Sequence, residues 1–295
     1  MKKLIFFVLL GIILSVGTAQ ADFWTGSVYN NQLDAFVPGI QGFDWSSSGS
    51  GVAVARGPFG NAAALAVGST FDFYYQSKLV GVTDPSGNPV AFPGLDTPSF
   101  EYTVVSKFPE VVSALVPLGG GLFTALFSTG AGGTFYIYND GTPDTNVPTG
   151  VGFDDGILVA SGTIGAGQLT TFTTVSLTSG IGSTILEGLV NYANPDYLDI
   201  ASIIFDFRFE GTINYPPLDS TTSDFFLDGD GGDNEGNYAA YNVDVVGGGL
   251  PGDPVDLLLK VDGSSKFSVP EPSTLLLLGS GLLGLGAYAR RRIKK

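Results

Sequence analysis

The stretch ASIIFDFRFEGTINY, Ala201 to Tyr215, places Ile203, Phe205, Phe207 and Phe209 at alternate positions, with Asp206, Arg208 and Glu210 between them. Successive side chains of a β-strand point to opposite faces, so this spacing gives one apolar and one charged face. Similar runs rich in aromatic and β-branched residues lie on both sides of it. Upstream are FDFYYQSKLVGV (Phe71 to Val82), SFEYTVVSKF (Ser99 to Phe108), GLFTALFST (Gly121 to Thr129), GTFYIYND (Gly133 to Asp140), GILVASGTI (Gly156 to Ile164) and LTTFTTVSLT (Leu169 to Thr178). Downstream are YAAYNVDVV (Tyr238 to Val246) and PVDLLLKVD (Pro254 to Asp262).

Short strands punctuated by the chain's 43 glycines predict an all-β fold, an antiparallel β-sandwich of jelly-roll type. Only Ser183 to Tyr192 and Pro195 to Ala201 offer a turn or two of helix. Asp22 to Gly68 is softer, and SSSGSG at Ser46 to Gly51 reads as a flexible loop. No internal repeat is visible, which argues against a solenoid or propeller.

The chain contains no Cys and no His. Disulfides, a Cys nucleophile, a Ser-His-Asp triad, a His general base and Cys- or His-ligated zinc or copper are therefore excluded. A hydrophobic core must hold the fold, and about 250 residues between the chain ends suffice to bury one. The formal net charge is −15. The region from Asp22 to Glu271 is more acidic than that, because its only basic residues are Arg56, Lys78, Lys107, Arg208, Lys260 and Lys266. Without a basic footprint nucleic acid is not an expected partner, whereas divalent cations or cationic partners are compatible. Acidity also keeps a secreted β protein soluble.

Both ends are greasy. MKKLIFFVLLGIILSVGTAQADFW begins with Lys2 and Lys3, continues through an apolar run from Leu4 to Val16, and reaches small residues at Ala19 and Ala21. This order predicts a signal peptide over 1–21, with the mature chain starting at Asp22. Near the other end, VPEPSTLLLLGSGLLGLGAYARRRIKK runs from Val269 to Lys295. Its uncharged part, Thr274 to Ala289, would reach about 24 Å as a helix, somewhat short of a hydrocarbon core of about 30 Å. Snorkelling by Arg290 and local thinning would let it span. Arg290, Arg291, Arg292, Lys294 and Lys295 form a basic stop that stays on the cytoplasmic side. Pro272 suits the first turn, and Gly279, Gly281, Gly284 and Gly286 weaken the helix. On these features alone, a permanent anchor and a removable one fit equally well.

Val269-Pro270-Glu271-Pro272, the glycine-bearing apolar helix and the Arg-rich tail resemble the PEP-CTERM sorting signal of Gram-negative bacteria. The resemblance implies Sec export, a short residence in the inner membrane, cleavage near Pro-Glu-Pro by an exosortase, and delivery to the cell surface or extracellular matrix. LFTALFSTGAGGTFYIYNDGTPDTNVP, FDDGILVASGTI and DLLLKVDGSSKFSVPEPS also resemble the flocculation-associated PEP-CTERM proteins. That resemblance implies cell aggregation within an exopolysaccharide matrix and brings no catalytic residues.

Three clusters are candidate sites. DFFLDGDGGDNEGNY, Asp224 to Tyr238, crowds Asp228, Asp230, Asp233, Asn234 and Glu235 into a glycine-rich turn, and calcium takes six to eight such oxygen ligands. It is not an EF-hand, because Gly232, Asp233 and Ala239 occupy its fifth, sixth and twelfth positions. A looser calcium turn at Asp228, Asp230, Asp233 and Glu235 competes with a solvated acidic loop. Asp140, Asp144 and Asn146 read as a turn with self-capping side chains. Asp206, Arg208 and Glu210 share one strand face and suggest a carboxylate pair for glycoside hydrolysis, but Arg208 between the two acids would keep both ionised, as on an ordinary charged sheet face. Trp24, Trp45 and the tyrosines are core residues or sugar platforms.

The sequence therefore predicts a signal peptide at 1–21, a β-sandwich-like extracellular domain at 22–262, a polar spacer at 263–268 and a sorting signal at 269–295. The expected role is that of a non-catalytic surface or matrix protein without a required cofactor. Its expected partners are signal peptidase, exosortase, the inner membrane in passing, and exopolysaccharide. The competing readings are a secreted carboxylate-dependent carbohydrate-active enzyme and a calcium- or polysaccharide-binding module.

Overall fold

The computed structural model describes residues 22–23, 26–56, 65–95, 99–146, 150–176, 179–199, 206–215 and 257–269, and among these none is helical. In chain order the strands are β1 (Asp22–Phe23), β2 (Gly26–Asn30), β3 (Ala35–Ile40), β4 (Gly42–Trp45), β5 (Gly49–Arg56), β6 (Thr70–Thr83), β7 (Pro89–Val90) and β8 (Glu101–Gly119). They continue with β9 (Leu122–Thr129), β10 (Gly133–Asp140), β11 (Ile157–Ile164), β12 (Leu169–Ser176), β13 (Ser179–Ala193), β14 (Leu198–Asp199), β15 (Asp206–Tyr215) and β16 (Leu257–Val269). The expectation of an all-β, antiparallel fold holds.

Two separate sheets do not. The ladders β5–β6, β6–β8, β8–β9, β9–β12, β12–β13, β13–β15, β15–β16 and β16–β5 join into a closed ring. A second ring shares β6, β8, β13, β15 and β16, with β4, β10 and β11 taking the other places. The result is an eight-position barrel in which three positions hold two strands end to end. Closure removes the unpaired edges that a sandwich must protect. The period-2 pattern of a strand is the same in either architecture, so the pattern alone did not distinguish them.

Each seam between stacked strands has a local cause. On β8, β10 pairs as far as Lys107 and β9 takes over at Glu110. Pro109 lies between them. Its carbonyl accepts from Gly130 N–H at 2.7 Å, so its nitrogen faces the same edge, and the missing donor falls at the seam. On β13, the seam between β12 and β11 is filled by Gln168, whose amide receives Glu187 N–H and donates to Glu187 O. On β6, the turn at Ser46–Ser48 fills the gap between β4 and β5, with Ser46 N–H donating to Lys78 O at 2.8 Å. The expected flexible loop is thus a tight turn, and β2 to β5 occupy the region expected to be soft. Ser183 to Tyr192 is part of β13 rather than helix.

The barrel interior is aromatic. Trp45, Phe43 and Phe267 are buried and meet edge to face, with centroids 5.6 and 5.4 Å apart. Phe73 stacks on Phe108 at 5.1 Å across β6 and β8. Tyr75 and Phe209 lie 5.0 Å apart. Glycine makes room for these rings: a Cβ at Gly263 would lie 2.5 Å from Phe209, and one at Gly51 would lie 2.8 Å from Phe73. β15 behaves as its pattern predicts, with Phe209 and Ile213 buried and Arg208 and Glu210 exposed.

A small sheet, β14-β2-β3, is tied to the barrel where β8 begins and β10 ends. Tyr102 donates its hydroxyl to Tyr29 O at 2.6 Å, and Asn31 and Asn139 exchange two side-chain bonds of 3.0 Å.

Candidate functional site

The junction between the barrel and the C-terminal segment is built by β16. Ser264, Ser265 and Lys266 pair with Asp44, Phe43 and Gly42 of β4. Trp45 donates its indole N–H to Ser265 Oγ at 2.9 Å, and both groups are buried. Phe267 is 1% exposed. Residues 263–268, expected as a polar spacer, are therefore strand. Their serines are polar because the sheet uses one as an acceptor, and Gly263 is small because Phe209 lies over it. The last two residues of β16 pair with β1, Asp22 with Val269 and Phe23 with Ser268. Pro270, Glu271 and Pro272, the basic stop, and Ala19 and Ala21 lie outside the described residues. So do Asp228, Asp230, Asp233 and Glu235, the expected calcium turn. Among the described residues no helix is long and apolar enough to cross a membrane, and the apolar runs at both ends lie outside them.

On the outer face of β13 and β15, Arg208 Nε contacts Glu210 Oε1 at 2.7 Å and Nη1 contacts Glu187 Oε1 at 3.2 Å. The guanidinium therefore bridges two carboxylates. All three side chains are exposed, so each pair contributes at most about 1 kcal/mol. Asp206 stands opposite Leu189 in the β13 ladder. This is a charged sheet face rather than a paired acid and base.

Beside it an open groove of about 470 Å³ crosses β13, β15, β16 and β4. Its polar walls are Asp44, Asp262, Glu210, Ser183, Thr212 and Ser264, and Ile185 adds an apolar patch. Partial burial raises the Asp44 carboxyl, and the neighbouring charge of Asp262 adds to the rise. The groove offers hydroxyls and carboxylates to a polar ligand or a cation.

A third cluster brings Glu101 to Asp140 and Asp144, with one oxygen of each within 4.8 Å of the others. Glu101 is buried and accepts from Asp144 N–H at 2.9 Å, Thr145 N–H at 3.1 Å and Thr145 Oγ1 at 2.7 Å. Asp140 caps Thr142 N–H at 2.8 Å, the self-capping turn that its sequence suggests. Loss of solvation raises the Asp144 carboxyl, followed by repulsion from Asp155 and Asp140. Among the described residues, these three carboxylates lie close enough together to hold a hard cation. Glu101 escaped the sequence reading because it is distant in the chain and opens a strand-like run.

Inside the barrel Glu110 is buried, and its Oε1 has no hydrogen-bond partner among the described residues. It lines a cavity of about 40 Å³ with Phe73, Phe127, Thr170 and Ile213. Burial pushes its carboxyl up to about 7, against a smaller opposing effect of Thr170.

Residues 268–292 match the PEP-CTERM protein-sorting motif. This motif is the recognition signal of exosortases, and it implies export, a transient membrane stage and sorting to the cell surface. Neither the curated proteins nor the solved structures yield a significant match. The matched segment begins at Ser268, inside β16.

Proposed function

We propose that the barrel is the cargo of this PEP-CTERM motif: a non-catalytic exported protein that acts at the cell surface or in the extracellular matrix, in flocculation or biofilm formation with exopolysaccharide. The observation that carries this reading is the junction itself, where a sorting motif starts on the last strand of a folded β domain. A signal peptide over 1–21 delivers the chain to the Sec route. The C-terminal apolar run holds it in the inner membrane until exosortase cuts near Val269 to Pro272. Closure of the barrel pairs its strands on both sides, which suits a protein that must stay soluble among many copies of itself.

The groove at Asp44, Asp262 and Glu210 supports a second reading, a module that binds a polysaccharide or calcium. The same surface speaks against the carbohydrate-active enzyme built on Asp206 and Glu210, since Arg208 forms an ion pair with Glu210. Deleting the gene tests the role. Loss of cell aggregation, with more polysaccharide released into the medium, is the expected result. Unchanged aggregation would remove the flocculation role while leaving the sorting route intact.

A further inference from the structure

A barrel of eight positions is just wide enough for side chains to fill it or for one small ligand to enter. This interior is not filled completely. Ala53 and Thr170 are short where Phe71 and Phe73 project, and the space of about 40 Å³ lies among them. At roughly 10–15 Å³ for each water-sized group, it has room for about three. Glu110 is the one ionisable residue lining it, nine-tenths buried, and its Oε1 has no hydrogen-bond partner among the described residues. Thr170 is the other polar residue of the lining, and its hydroxyl is already engaged with Thr184 Oγ1 at 2.9 Å. The rest of the wall is apolar. A buried water asks for two to four polar partners, so water suits this space poorly. A smaller space of about 10 Å³ shares Phe73, Glu110, Thr170 and Ile213 with it. That space adds one ionisable group, Tyr75, which stays neutral because burial raises its hydroxyl.

We propose that the barrel interior is a binding site for the ammonium end of a linear alkylamine, with Glu110 as its counter-ion. The site is separate from the sorting route and from the outer groove. A ligand here must satisfy one carboxylate oxygen and otherwise be apolar. A hard metal ion fails, because it takes about six oxygens and the wall offers a single carboxylate. A primary ammonium succeeds: its charge answers Glu110, and its first two carbons fill the remaining volume. Phe71, Phe73, Phe127 and Phe172 line the space, and ring faces attract cations. The formal net charge of −15 draws cations toward the molecule and repels anions. Leu65, Phe127 and Phe172 are partly exposed, which gives the rest of the alkyl chain a way out. With about three atoms enclosed, the affinity should be no tighter than about millimolar.

The test titrates n-butylamine, tert-butylamine and n-butanol into the full chain at pH 8 and about 0.15 M salt, which screens attraction to the outer surface. Calorimetry gives the Kd. The expected result is saturable binding of n-butylamine near millimolar. The branched amine carries the same charge but does not fit, and the alcohol fits but carries no charge, so both should bind about tenfold more weakly or worse. Glu110→Gln should weaken n-butylamine binding by about tenfold or more. Leu259→Phe, which fills the space and keeps the carboxyl, should do the same. Glu110 ionises at about 7, so below that pH the amine must displace a proton, and its affinity should fall about tenfold per pH unit. Absence of saturable n-butylamine binding would overturn the proposal. So would either control ligand binding as tightly as n-butylamine, or either variant, folded by its melting curve, binding it with parental affinity.

Discussion

Trp45 and Ser265 share a buried hydrogen bond of 2.9 Å, and it fastens the strand carrying the sorting motif to the strand that begins the barrel. The partners are far apart in sequence, both are buried, and the Trp45 ring meets Phe43 edge to face. A buried indole N–H without an acceptor loses its water and gains nothing in exchange.

Ser265→Ala should therefore cost about 1–3 kcal/mol. For a domain of this size that is a fall in melting temperature of roughly 2–10 °C. Thermal denaturation of the mature domain measures it. An unchanged midpoint would mean that the indole finds another partner, and that β16 is not fastened at this point.

Glu110 should make stability depend on pH. Its folded carboxyl titrates at about 7 against an unfolded value of 4.5. Below pH 4.5 both states are protonated and there is no penalty. As pH rises, the unfolded chain ionises while the barrel must hold a neutral acid, so stability falls until about pH 7 and then levels off. The loss amounts to about 3 kcal/mol. Glu110→Gln removes this titration, so the variant should be the more stable at pH 8 and close to the parent at pH 4. Parallel stability curves for the two proteins across that range would refute the assignment.

Gly263 and Gly141 should respond differently to alanine. A Cβ at Gly263 would meet Phe209 at 2.5 Å and the Tyr75 hydroxyl at 2.9 Å, whereas one at Gly141 meets nothing within 4 Å. Gly263→Ala should cost about 1–3 kcal/mol through overpacking, and Gly141→Ala should stay within about 0.5 kcal/mol. Denaturant midpoints give the comparison. Equal effects at the two positions would show that glycine is not what seats the Phe209 ring.

Much of this fold was legible in the chain. The alternation around Phe209 marked its strand, because burial on one face leaves a direct trace in sequence, and the aromatic-rich run from Phe71 to Val82 marked another that is buried on both faces from Phe71 to Ser77. Closure left none: the ladder that shuts the barrel pairs Leu259 with Gly51, and no local pattern encodes a partner so remote. Leu186 and Val190 are buried four residues apart, a spacing that serves a helix face and a strand face equally, so the turn or two of helix allowed over Ser183 to Tyr192 was not distinguished from strand. Ser265 misled for a different reason. Its polarity suggested a solvated spacer, but the hydroxyl is inside the barrel because Trp45 needs an acceptor. The sorting motif was the most legible feature of all, since its parts are contiguous. The Glu101 cluster was half visible, with Asp140 and Asp144 read as a turn and Glu101 delivered to them only by the fold.

The central claim is that the chain is cut where the barrel ends, and intact-mass spectrometry of the protein recovered from cell surface and medium tests it most directly. The account predicts chains that begin at Asp22, end between Val269 and Pro272, and vanish when the host's exosortase is removed. Surface protein that still carries Leu275 to Lys295 as its main form would contradict it, and would make the C-terminal segment a permanent anchor.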